Sequence, residues 1–60
     1  MRIFVDAMGG DLAPQAPVVG TVEALRRNPE LTVTLAGIVP EIEKYLAGAD
    51  DVRSRITLLD

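Results

Sequence analysis

Sixty residues without a cysteine or a histidine exclude a disulfide framework, a thiolate nucleophile, an ordinary zinc site, and Ser-His-Asp or Cys-His catalysis within the chain. Nine acidic against six basic residues leave a net charge of −3, and the one adjacent basic pair, Arg26-Arg27, is no footprint for nucleic acid. A hydrophobic share of 48% argues against disorder, yet a chain this short buries only about 60% of the surface it exposes unfolded, so it is expected to borrow a partner or to belong to something larger.

Arg2-Ile-Phe-Val-Asp6 is a short apolar run closed by an acid. Three consecutive apolar residues, Ile3, Phe4 and Val5, fit a strand covered on both faces, as in parallel sheets. Ala7 to Ala13 reads as a loop punctuated by Gly9 and Gly10. A helix follows, starting between Asp11 and Ala16 and running to about Asn28, with Val18, Val22 and Leu25 as its apolar stripe and Val19 widening it. Arg26-Arg27 reads as its solvated end, favourable to the helix dipole, and Asn28-Pro29 stops it. Leu31 to Leu35 alternates apolar residues with threonine, a strand less buried than the first, and Gly37 ends it. Pro40 opens a second helix with Glu41 and Glu43 near its positive end and Ile42, Tyr45 and Leu46 as its core stripe. Gly48 is the expected stop. Ala49 to Ser54 reads as a polar loop, and Ile56 to Leu59 as a third strand. The order β-α-β-α-β predicts a parallel sheet with right-handed crossovers, one half of a doubly wound α/β domain. Residues 1–60 are therefore expected to be a portion of a larger domain. No apolar run approaches a membrane span, and no signal-peptide core follows Met1, which reads as a cytoplasmic start.

The chemistry is expected in Asp6-Ala-Met-Gly-Gly-Asp-Leu-Ala-Pro14, the loop from the first strand to the first helix. Ligands of open parallel sheets bind beyond the carboxyl ends of the strands. Paired glycines let backbone N–H groups approach an anion, and a helix N-terminus favours phosphate. Asp6 and Asp11 bracket the glycines and, uncompensated, would repel phosphate, so a bound phosphate needs a cation from elsewhere. The dinucleotide fingerprint Gly-x-Gly-x-x-Gly is absent, no Gly-Lys-Ser/Thr marks a P-loop, and Asp6-Ala-Met8 lacks the second aspartate of an Asp-x-Asp phosphatase loop. Each residue also has a plain structural reading. Gly9 and Gly10 serve a turn, Asp11 caps a helix, Asp6 holds the loop, and Met8 fills a gap.

Read as a block, Val5-Asp-Ala-Met-Gly-Gly-Asp-Leu-Ala-Pro14 resembles the opening of the PlsX family, bacterial phosphate acyltransferases of phospholipid synthesis. The Arg2-Ile-Phe-Val lead-in, the spacing to Leu35-Ala-Gly37 and Glu43-Lys-Tyr-Leu46 are similar to that family as well. Leu12 departs from it, standing where the family usually carries histidine, and no role passes to that position. The resemblance implies a Rossmann-like three-layer α/β/α fold with a mostly parallel sheet, of which this chain is the N-terminal portion. It implies an enzyme that makes acyl phosphate and free acyl carrier protein from acyl-(acyl carrier protein) and inorganic phosphate. A membrane glycerol-3-phosphate acyltransferase then uses the product. A homodimer, no organic cofactor, no metal, and a cytoplasmic location with peripheral membrane association are further implications.

On this basis the expected site is Asp11 as the catalytic, positioning carboxylate, with Asp6, Met8, Gly9 and Gly10 binding substrate. Residues 1–60 alone are expected to be inactive, because the general base and the cationic phosphate clamp lie elsewhere. The alternatives are a non-enzymatic phosphate-binding or interaction module, and another Rossmann-like acyl- or phosphoryl-transfer enzyme.

Overall fold

Parallel β-α-β units place each strand beside its predecessor when the connections are short and right-handed. The computed structural model, which describes residues 1–60, follows that rule. Strand β1 (Arg2–Asp6) leads to helix α1 (Gln15–Arg27), strand β2 (Thr32–Ala36), helix α2 (Val39–Glu43), a 3₁₀ turn (Arg53–Arg55) and strand β3 (Ile56–Leu59). The sheet order is β1-β2-β3 and both pairings are parallel. This is the Rossmann-like α/β arrangement expected from the order of elements.

The register sorts the side chains into two faces, because neighbours along a strand point oppositely. Ile3 is level with Val33, which is level with Ile56, and Val5 is level with Leu35 and Leu58. This face carries the core: Val33, Leu35 and Ile56 are buried together with Val18, Val22 and Leu25 of α1 and Ile42 of α2. The opposite face carries Phe4, Thr34 and Thr57 in one row and Asp6, Ala36 and Leu59 in the next. It has no covering layer within these residues, and Phe4 is 63% exposed.

Two strand expectations are therefore corrected. β1 is not covered on both faces, and it is β1, at the sheet edge, that is the less buried strand. β2 is central and buries Val33 and Leu35 completely or nearly so. Apolar runs report the cover that a strand's two faces need, whereas place within the sheet is set by topology.

The helices differ from expectation in extent. α1 begins at Gln15, within the expected interval, and its stripe is narrower than expected because Val19 is exposed. α2 has five residues. Beyond it the chain continues in tight turns, with Tyr45 N–H donating to Ile42 O, Leu46 to Glu43 O, Ala49 to Leu46 O and Val52 to Ala49 O. A three-residue period aligns Leu46, Ala49 and Val52 on one side, and all three are buried. Ala49 to Ser54, read as a polar loop, is thus a turn segment that lends Ala49 and Val52 to the core while Asp50, Asp51 and Ser54 stay exposed. Tyr45, read at a 3.6-residue period as core, falls outside it and is 37% exposed. No helix is long and apolar enough to cross a membrane.

Arg55 ties the lower end of the fold together. Its guanidinium donates to the carbonyls of Leu25 (2.9 Å) and Asn28 at the end of α1, and to Leu31 (3.1 Å) just before β2. Helix C-terminal carbonyls lack intrahelical donors, and a charged donor is worth more than a neutral one. Arg55→Met is expected to destabilise the intact gene product by about 2 kcal/mol in urea unfolding, with Arg55→Lys recovering only part because one ammonium cannot span three carbonyls.

Arg26 is not simply a solvated helix end. It pairs with Asp51 through Nε (3.0 Å) and Nη2 (3.1 Å), and Nη2 also reaches the Gly48 carbonyl. The hydrogen bonds from Arg26 hold the Asp51 carboxyl below its ordinary range. A carboxyl depressed on folding stabilises at neutral pH and loses that contribution as pH falls through its folded value. Both side chains are exposed, so the contribution is small and salt-screened. Asp51→Asn is expected to flatten the acid limb of the stability profile slightly and to leave stability in molar salt unchanged.

Candidate functional site

The three carboxyl strand ends and the loop from Ala7 to Pro14 lie at one edge of the sheet, the position where parallel sheets bind ligands. The loop is built outward from β1. Ala7 N–H donates to Ala36 O at 2.8 Å, continuing the pairing with β2 one residue past the strand, and Ala7 is fully buried. Asp6 Oδ1 then accepts the Met8 N–H at 3.0 Å, a short side-chain turn that reverses the chain. The Asp6 carboxylate folds back beside Gly9, where an added Cβ would stand 3.8 Å from Oδ2.

Gly10 has φ +95°, a conformation that a side chain strongly disfavours. Nothing lies within 4 Å of where its Cβ would be, so the demand is on the backbone rather than on space. The chain then turns into α1 through Ala13 N–H to Gly10 O and Ala16 N–H to Leu12 O. The residue preceding α1 is the buried Pro14, with no side-chain capping bond, so the reading of Asp11 as a helix cap is corrected. Asp11 is exposed, as is Leu12, and both line a shallow depression with Gly9, Gly10, Ala13, Ala16 and Pro17. Asp6 thus closes β1, and the other four expected site residues follow it in one loop. Asp6 acts on backbone within it, and Asp11 faces solvent.

The basic residues are unevenly placed along the sheet axis. Arg2 begins β1, Arg26 and Arg27 end α1, and Arg53 and Arg55 precede β3, which places five of the six basic residues at the amino edge. The sixth, Lys44, pairs with Glu41 at 2.8 Å. The carboxyl edge carries Asp6, Asp11 and Asp60. The favourable charge for an anion there is the partial positive end of α1, thirteen residues long and with no acid in its first turn.

A residue that the motif left out completes the loop. Gly37, at the end of β2, sits under Met8: a Cβ at Gly37 would stand 2.6 Å from Met8 Cγ and 2.9 Å from Sδ. The sequence signal was a lone glycine closing a strand, which reads as a stop and says nothing about what lies over it. A mostly apolar groove at the amino edge, lined by Met1, Ile3, Ala24, Pro29 and Leu31 among others, is remote from this loop.

No family model matches the chain. Among curated proteins it is 47% identical over 60 residues to a protein named Phosphate acyltransferase from Shewanella amazonensis, covering 98% of this chain and 18% of that protein. Proteins of the same name from Bacillus thuringiensis and Bacillus cytotoxicus are 44% identical over 59 residues, covering 98% of this chain and 17% of each. The resemblance carried by the Val5–Pro14 block is borne out over nearly all of the chain, which spans less than a fifth of the length of the curated relatives it matches.

Proposed function

We propose that this relative of the phosphate acyltransferases supplies the phosphate-holding loop of an enzyme that moves an acyl group from acyl carrier protein to inorganic phosphate. The observation that carries the proposal is the Asp6–Pro14 loop, placed at the carboxyl edge of a parallel sheet in a chain so similar to proteins of that name. In the reaction, a phosphate oxygen attacks the thioester carbonyl carbon. The new C–O bond forms, the C–S bond breaks, and the carrier protein leaves as a thiolate that takes up a proton. The needs are a positioned phosphate, a donor for the developing oxyanion, and an easy departure for sulfur.

The Gly9 and Gly10 backbone would hold the phosphate, with the α1 N-terminus behind it. Asp6 would keep the loop in shape through its bond to Met8, and Met8 would border the bound group. Asp11 would orient it by hydrogen bonding to a protonated phosphate oxygen, acting as a positioning carboxylate rather than as a nucleophile. With its arginines at the far edge and Lys44 paired to Glu41, the chain has no free cation for a bound phosphate, and on this reading the clamp and the general base belong to sequence outside these 60 residues. A homodimer in the cytoplasm, peripheral to membrane, passing acyl phosphate to a membrane glycerol-3-phosphate acyltransferase, belongs to the same reading.

The test is phosphate-dependent release of carrier-protein thiol by the intact gene product, coupled to detection of acyl phosphate. Absence of that release would sink the proposal. The paired glycines beside the α1 N-terminus, which carries no acid in its first turn, favour one second reading, a phosphate-binding module without turnover, which predicts saturable phosphate binding and no thiol release.

A further inference from the structure

We infer that Gly37 and Met8 form a strut that positions the Gly9-Gly10 segment, making Gly37 a positioning residue for phosphate although it lies 27 positions from Gly10 in the chain. The inference rests on the reading of that segment as the phosphate loop, and its structural core is independent of that reading.

Both ends of the contact are anchored. The N–H of Gly37 donates to Leu59 O at 2.9 Å, which pins Gly37 to β3. Its neighbour Ala36 accepts from Ala7 at 2.8 Å, which pins the start of the loop to β2. Met8 in turn gives its N–H to Asp6. Between these fixed points the Met8 side chain descends onto the bare α-carbon of Gly37. A methyl group there would overlap Met8 Cγ at 2.6 Å and press on Ile42 Cδ1 at 3.3 Å, and Ile42 is fully buried.

The clash is with Cγ, next to the backbone, so rotation about the distal bonds of Met8 does not relieve it. Either the side chain swings about χ1 or the backbone lifts, and the next residues along that backbone are Gly9 and Gly10. Glycines supply no side chains of their own to hold a shape. Their position is therefore inherited from Asp6 on one side and from the Met8–Gly37 seat below. The pair also ties the first strand–helix loop to the second, so a ligand gripped by one senses the placement of both.

A double-mutant cycle in the intact gene product tests the strut. Gly37→Ala and Met8→Ala are each expected to raise the KM for phosphate by about tenfold, within the range of coupling between touching residues, while the KM for the acyl donor changes by less than about twofold. The double variant should fall well short of the product of the two single effects, because truncating residue 8 removes the 2.6 Å overlap and leaves only the 3.3 Å approach to Ile42 and the backbone strain at φ +155°. Hydrogen exchange at Met8 and Ala13, whose N–H groups donate to Asp6 Oδ1 and Gly10 O, should quicken in Gly37→Ala and at Ala13 in Met8→Ala, a readout that needs no turnover.

Multiplicative effects in the double variant would overturn the strut. So would unchanged exchange in Gly37→Ala, or equal rises in both KM values in step with a lowered Tm. A parent protein without phosphate-dependent transfer, but with quickened exchange in the variants, would overturn the functional reading and leave the contact standing.

Discussion

Gly10→Val in the intact gene product should lower kcat/KM for phosphate by about 100-fold, the scale of losing one or two preorganised backbone donors. The reason lies in the backbone. At φ +95° a β-branched residue is a genuine outlier, so the chain must re-route between Gly9 and Leu12 rather than merely push a neighbour aside. Space is not the obstacle, since nothing lies within 4 Å of the new Cβ. The accompanying loss of stability should be about 1–3 kcal/mol, less than the roughly 5–15 kcal/mol that holds a typical domain folded. Steady-state kinetics with phosphate as the varied substrate separates the outcomes. A destabilised variant with unchanged kcat/KM would mean that Gly10 serves the turn and nothing else.

The second large effect concerns the sheet. Leu35→Ala should cost about 3–4 kcal/mol, because Leu35 is fully buried on the central strand, level with Val5 and Leu58, and few neighbours can collapse into the void. Phe4→Ala is its informative companion. On the open face Phe4 is 63% exposed, and truncating a surface residue costs less than about 0.5 kcal/mol. If the intact protein lays a further helical layer over that face, as a three-layer α/β/α fold requires, the same substitution should cost about 3 kcal/mol or more. Chemical denaturation of both variants therefore reads the missing layer without a new structure.

Much of the fold was legible in the sequence where the signal is local. The strand starts, the β-α-β-α-β order and the span of α1 follow from runs of apolar residues and from Asn28-Pro29. The placement of Val18, Val22 and Leu25 follows from helical periodicity. What misled was whatever depends on more than one element. The ranking of β1 and β2 by burial failed because sheet position is decided by which strand lies between the others. The tight turns after Glu43 were hidden because Leu46, Ala49 and Val52 repeat every three residues, a period that a search at 3.6 passes over. Arg55 gave no sign, since its partners at Leu25, Asn28 and Leu31 are 24 to 30 positions away. The site divides in the same way. Asp6 to Asp11 is one contiguous segment and was readable as a block, while the seat at Gly37 is a contact between two loops.

The placement of the basic residues has a thermodynamic corollary. From Arg2 to Asp6 the strand rises about 13 Å, so no reorientation of the chain's own arginines brings a cation to the carboxyl edge. On the proposed reading, phosphate is then held only in those molecules where the distant part of the protein has docked its cation over the loop. Apparent affinity equals intrinsic affinity multiplied by that docked fraction. Substitutions anywhere along the docking contact, however far from the loop, would thus register as weaker phosphate binding. Phosphate itself would report, through protection against unfolding, how completely the two parts of the protein have come together.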